Sequence, residues 1–198
     1  MRKKRKEQSV SFYLNYDIIN IMKKIDRKDF VLKEYEKEAY EDYPLPIGFN
    51  QTISQPSTVN FMLKLLDPQK QEKILDLGSG SGFSTALLAE AVGEKGKVFG
   101  VEKIPELVSF GRKNLSKYDF NNATILEAGE TLGLPSEAPF DKILVSASAK
   151  EIPQELIDQL KVGGIMVIPV ENDILRIKKT KYDIEIEKYE GFVFVPLR

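Results

Sequence analysis

Residues Lys73-Ile74-Leu75-Asp76-Leu77 make an apolar strand that runs straight into Gly78-Ser79-Gly80-Ser81-Gly82, and Glu102 stands twenty residues beyond the last of these glycines. Between them lie a helical stretch and a second strand, Lys97-Val98-Phe99-Gly100-Val101, which ends in that acid. This βαβ unit has the form of a nucleoside site. Without a Cβ, the glycines let the backbone turn tightly and approach a ligand. The dinucleotide fingerprint G-x-G-x-x-G would need its third glycine at position 83, where Phe83 stands. Asp76 would repel a pyrophosphate but suits an ammonium group, and Glu102 is placed to accept ribose hydroxyls. A glycine-rich turn alone is also what an ordinary loop between strand and helix looks like. The two acids move the reading to a nucleoside, and to S-adenosylmethionine ahead of a nicotinamide dinucleotide.

The 198 residues contain no cysteine and no histidine. Disulfides, thiolate zinc sites, imidazole acid–base chemistry and the Ser-His-Asp triad are therefore excluded, and no metal is expected. A carboxylate nucleophile needs none of these, because its ordinary pKa of about 3.9 leaves it ionised at neutral pH. The net charge of −1 gives no field that would gather nucleic acid or an acidic membrane. No apolar run reaches the roughly 18 residues of a membrane span. The basic start Met1-Arg2-Lys3-Lys4-Arg5-Lys6 lacks the apolar stretch of a signal peptide, so a cytoplasmic protein is expected.

Residues 1–10 read as a solvated basic tail, and 11–198 as one domain. Within it, 11–57 form a cap and acceptor loop, and 58–198 the nucleoside-binding core. Ile18, Ile21, Met22 and Ile25 recur at helical spacing, and Val31 to Tyr40 reads as a second short helix. Pro44-Leu45-Pro46-Ile47-Gly48 reads as an extended loop, and Ser57 or Thr58 as the cap of a helix carrying Val59, Met62, Leu63 and Leu66. Strands are expected at 73–77, 97–101, 123–127, 142–146 and 164–169, with helices at 84–92, 105–115 and 153–160. Gly163-Gly164 reads as the turn into the last parallel strand. Two further strands, near 173–179 and 184–195, are close enough to be antiparallel. The alternation predicts an α/β fold, a mostly parallel sheet covered by helices on both faces.

The segment from Ala39 to Pro56, with Pro44-Leu45-Pro46-Ile47-Gly48 and Gln51-Thr52-Ile53-Ser54-Gln55-Pro56 at its heart, resembles the acceptor segment of protein-L-isoaspartate O-methyltransferases. The likeness continues through Asp76 to Gly82, Val101 to Leu107, Thr131 to Asp141, Gln159 to Gly164, Ile168-Pro169-Val170 and Phe194-Val195-Pro196-Leu197. It implies a Rossmann-like, seven-stranded methyltransferase sheet with an N-terminal helical cap. It also implies transfer of a methyl group from S-adenosylmethionine to the carboxylate of an isoaspartyl residue in a damaged protein. By position, Ser54 matches the family's active-site serine, with Thr52, Ile53 and Phe49 beside it as acceptor-binding residues. Asp76, Gly78, Ser79, Gly80, Gly82 and Glu102 match the cofactor loop and ribose acid.

A hydroxyl at Ser54 can hold a carboxylate oxygen in line with a methyl group. From spacing alone, Thr52 and Ser54 read better as turn residues, and it is the resemblance that turns the reading towards function. Where the family has Gly-Asp-Gly after the third strand, this chain has Ala128-Gly129-Glu130, so the acid that meets adenine is displaced by one place. Gly129 and Glu130 are the expected adenine-side residues. The expected partners are isoaspartyl proteins or peptides, taken up by a monomer, with neither nucleic acid nor membrane involved. A relative that methylates another peptide or acceptor, and a non-catalytic S-adenosylmethionine-binding module, are the alternatives.

Overall fold

The computed structural model describes residues 16–197, so the expectations for the basic segment 1–10 and for the side chain of Ile18 lie outside the described residues. The chain opens with α1 (Tyr16–Lys24) and two 3₁₀ turns, Arg27–Phe30 and Lys33–Glu38. The single helix expected over 31–40 is thus replaced. Val31 and Leu32 are extended between the turns, and Phe30 and Val31 are buried against the core. Packing has overridden local helical preference here.

The segment expected to be an extended loop is a hairpin, β1 (Leu45–Gly48) antiparallel to β2 (Gln51–Ile53). Leu45, Ile47 and Ile53 point into the core. Pro46 is tolerated because a two-stranded ribbon has edges that need no donor from it. Next comes α2 (Pro56–Leu66), which starts earlier than a cap at Ser57 or Thr58 would allow. Pro56 occupies its first turn, where a missing N–H costs nothing, and Gln55 is the cap residue. The Ser57 N–H is satisfied from outside the helix, donating to Asp42 Oδ1 at 2.9 Å.

From Lys73 the expected alternation holds: β3 (Lys73–Leu77), α3 (Phe83–Val92), β4 (Lys97–Glu102), α4 (Pro105–Leu115), β5 (Ala123–Glu127), β6 (Phe140–Val145), α5 (Gln154–Gln159), β7 (Leu160–Val170), β8 (Asp173–Lys179) and β9 (Ile184–Glu190). The order across the seven-stranded sheet is β5-β4-β3-β6-β7-β8-β9. The first five strands are parallel and the last two pairings antiparallel. Gly163 and Gly164 do not precede β7. They lie within it, where the register against β6 shifts and Gly163 takes φ +85°. The last strand ends at Glu190 rather than near 195, because Gly191 turns the chain away at φ +94°.

Side chains alternate between two cores. Ile74, Val98, Leu144 and Val167 face one side, covered by α1 to α4; Leu75, Val101, Ile143 and Met166 face the other, covered by α5. Helices therefore sit on both faces, but unequally. No helix among the described residues is long and apolar enough to cross a membrane.

Within the first face α4 lies tight against the glycine loop. A methyl group on Gly111 would lie 2.9 Å from the Gly80 carbonyl oxygen and 2.9 Å from Ile125 Cδ1. Neither the backbone nor a packed isoleucine can retreat cheaply. Gly111→Ala should destabilise the protein by about 1–3 kcal/mol, the usual range for overpacking. Urea denaturation measures this, and an unchanged midpoint would show that the contact yields freely.

Candidate active site

The order of the sheet reverses at β3, whose successor β4 lies on one side and β6 on the other. Loops leaving the carboxyl ends of such strands diverge and open a crevice. A cavity of about 340 Å³ lies there. Its walls come from the hairpin, the glycine loop, the end of β4, the segment 128–133, Ser146-Ala147 and the chain end Val195-Pro196-Leu197.

The glycine loop is held by β4. The N–H groups of Gly78 and Ser79 both donate to the Val101 carbonyl, and the Gly80 N–H donates to Glu102 Oε2 at 3.0 Å. The other oxygen of Glu102 accepts the N–H groups of Lys103 and Ile104 at 2.8 and 2.9 Å. Three backbone amides thus occupy three of the carboxylate's roughly four lone-pair sites. Glu102 lines the cavity as expected, but with room for one hydroxyl where two were anticipated.

Asp76 is placed differently from the sequence expectation. It lies on the α3 face of β3 and does not line the cavity. Its Oδ2 accepts the hydroxyls of Ser84 and Thr85 at 2.7 and 2.6 Å, at the start of α3. Its Oδ1 is buried with no hydrogen-bond partner among the described residues. Burial pushes its carboxyl up to about 6, against the lowering pull of the Thr85 and Ser84 hydroxyls and with a smaller push from Glu102. Ser84, which does line the cavity, carries the influence of Asp76 to its wall. Gly82 is also withdrawn from the cavity. At φ +87° it faces α4, where a Cβ would meet Ile125 and the Gly111 carbonyl.

Gly78, Ser79, Gly80, Gly129 and Glu130 all line the cavity. Ser79 Oγ is buried and has no partner among the described residues. On the opposite wall stand Thr52, Ile53 and Ser54. Phe49 is not among them; it sits at the hairpin tip with φ +53°, half exposed.

A second cavity of about 260 Å³ adjoins this wall, lined by Pro44, Thr52, Ser54, Gln55, Thr58, Ser146 and Val193 to Val195. Among the described residues, no charged side chain lines it. Thr52, Ser54, Ser146 and Val195 belong to both cavities. Ser146 and the chain end were absent from the expected site. The signal for Ser146 was available, since it directly follows β6 at the reversal point. The chain end is brought in by tertiary contacts alone: the Ser148 N–H donates to the Val195 carbonyl, and the Leu197 N–H to the Ser148 carbonyl, each at 2.8 Å.

Comparison with known proteins agrees with this geometry. The sequence profile of the family described as protein-L-isoaspartate(D-aspartate) O-methyltransferase matches residues 3–198. The chain belongs to that family. A protein-L-isoaspartate O-methyltransferase of Methanothrix thermoacetophila is 44% identical over 200 residues, spanning 100% of this chain and 95% of its own length. One from Fervidobacterium nodosum is 46% identical over 162 residues, 82% of this chain and 81% of its own. Among solved structures, a Plasmodium falciparum protein named for the same methyltransferase, in complex with S-adenosyl-L-homocysteine, superposes with a TM-score of 0.81 at 28% identity. That match covers 93% of this chain and 91% of the other. The protein-L-isoaspartate O-methyltransferase family is thus matched along nearly the whole chain, the β1–β2 hairpin and the chain end included.

The buried charge of Asp76 has a measurable consequence. Its folded-state pKa of about 6 lies above the ordinary 3.8. Between these values the native state holds a proton that the unfolded state has lost. Stability therefore falls as pH rises through that window and stays lower above it. Asp76→Asn keeps an acceptor for Ser84 and Thr85 and removes the charge. In ligand-free protein it should raise stability at pH 7 by up to about 3 kcal/mol and flatten the slope. Denaturation between pH 4 and 8 checks both; an unchanged slope would assign it to another group.

Proposed function

We propose that this chain methylates the carboxylate of L-isoaspartyl residues in damaged proteins, with S-adenosylmethionine as methyl donor and Ser54 as the residue that aims the acceptor. The observation that carries the reading is the junction of two cavities at Thr52 and Ser54, one lined by the glycine loop and Glu102, the other free of charged side chains among the described residues. Family membership and the 44% identical relative support the acceptor chemistry. The bound S-adenosyl-L-homocysteine of the Plasmodium falciparum structure supports the cofactor.

The residues present fit that cofactor. Ser79 offers a buried hydroxyl without a protein partner, Glu102 one free lone-pair direction for a ribose hydroxyl, and Gly129 and Glu130 a wall for the base. When bound, S-adenosylmethionine supplies a methyl group to an oxygen lone pair of the acceptor carboxylate and keeps the carbon–sulfur electron pair, so that a methyl ester and S-adenosylhomocysteine form without any proton transfer.

The chain's own contribution is to hold and to exclude. Ser54 donates its hydroxyl to one carboxylate oxygen. Ile53, buried beside it, and Pro44 keep the surroundings apolar. An uncharged wall strips the acceptor anion of water without pairing it to a fixed cation. In the released ester, the neighbouring backbone nitrogen attacks the carbonyl and methanol leaves, which gives a succinimide that hydrolyses partly to normal aspartate.

We further propose that residues 11–57 act as the acceptor-holding cap and 58–198 as the cofactor-holding core. On this reading the protein works as a cytoplasmic monomer on proteins or peptides, with neither nucleic acid nor membrane as partner.

Two otherwise identical peptides, one isoaspartyl and one aspartyl, test the reaction with labelled S-adenosylmethionine. Label released as methanol from the isoaspartyl peptide alone is the expected result, and label on neither would refute the reading. Ser54→Ala should lower turnover about tenfold or more, the worth of one hydrogen bond to a charged group, with cofactor affinity unchanged by calorimetry. A methyl group on Gly129 would meet nothing within 4 Å. Gly129→Asp should therefore fit and tighten cofactor binding up to about tenfold. Unchanged affinity would mean that the base is already fully held.

A further inference from the structure

Four residues line both cavities, and three of them bring hydroxyls: Thr52 and Ser54 from the end of the hairpin, and Ser146 from the end of β6, a distant part of the chain. The backbone of Ser146 is fixed, its N–H donating to the Leu77 carbonyl at 2.9 Å. Its hydroxyl makes no hydrogen bond with any described residue, and neither does that of Ser54. Each is a donor held in place by its own strand end and left free to serve whatever enters the junction.

We propose that Ser146 is a second acceptor-binding residue, whose hydroxyl donates to one oxygen of the substrate carboxylate while Ser54 donates to the other. This inference rests on the function proposed above. A carboxylate that enters the smaller cavity leaves its hydration behind and meets no cationic side chain among the described residues, whose wall there is made of hydroxyls, one amide and apolar groups. Unless hydroxyls replace the lost water, the anion is buried at large cost. One donor leaves the carboxylate free to rotate about its bond to the peptide. Two donors from separate elements fix its plane and direct a remaining lone pair along one line.

Hydroxyls also suit the reaction better than a lysine or arginine would. A fixed cation keeps its charge while the acceptor changes from an anion to a neutral ester, so it favours the reactant over the transition state. A hydroxyl pair loses less as the oxygen's charge is consumed. Two serines in an uncharged cavity thus orient a carboxylate without quenching it.

The test compares wild type, Ser146→Ala and Ser146→Thr on the isoaspartyl peptide, with cofactor affinity from calorimetry and thermal midpoints alongside. Ser146→Ala is expected to raise KM for the peptide, or lower kcat/KM, about tenfold, with cofactor affinity and midpoint unchanged. Ser146→Thr, which keeps the hydroxyl, should recover most of that loss. Peptide kinetics of Ser146→Ala equal to wild type would overturn the inference. So would a loss confined to cofactor affinity, or a threonine variant as impaired as the alanine one. A wild-type protein inactive on the isoaspartyl peptide would overturn the proposed function and this inference together, which separates the two failures.

Discussion

The carboxylate of Glu102 joins the end of β4 to the loop that follows β3, and the crevice depends on that junction. One oxygen holds the Gly80 N–H and the other holds the N–H groups of Lys103 and Ile104. Together with the Val101 carbonyl, which takes two more amides, it turns a glycine-rich segment with little preference of its own into a rigid shelf. Charge-assisted bonds to backbone donors are among the stronger ones available to a protein. A single acid thus shapes the floor of the site before any ligand enters. Glu102 itself lines the cavity.

The opposite wall is held by quite different means. The β1–β2 hairpin anchors itself by burying Leu45, Ile47 and Ile53, which leaves Thr52 and Ser54 at the cavity edge. The next helix begins two residues after Ser54, and its free Ser57 N–H is taken by Asp42 from the segment before the hairpin. The segment that carries Ser54 is thus clamped at both ends, by an apolar contact before Ser54 and a helix held at its first turn after it. Precision of this kind is what the proposed role of Ser54 requires.

Charge is distributed unevenly between the two cavities. Among the described residues, Glu102, Lys103 and Glu130 line the larger one, while the smaller has hydroxyls, an amide and apolar groups. Asp76, the acid that looks most like a ligand contact in the sequence, is fully enclosed behind the loop and accepts the hydroxyls of Ser84 and Thr85. The alternation of β3 explains this. Asp76 shares a face with Ile74, beneath α3, whereas Leu75 and Leu77 point the other way. Counting along the strand could have shown which face it occupies, but not that α3 would close over it.

Local signals were enough for the order of strands and helices from Lys73 onward and for the family. Those signals are apolar periodicity, glycines where the backbone must turn, and prolines at helix starts. The hairpin at 45–53, the early start of α2, the bulge at Gly163 and the exit of the chain at Gly191 arise only in the packed molecule. Each reflects a contact between segments distant in sequence, or the burial of a few side chains against a core that local preference does not register. The same holds for the working surface of the site. Ser54 was legible from its neighbours in the chain, but Ser146 and Val195 become its neighbours only when β6 and the chain end are carried to one place by the sheet.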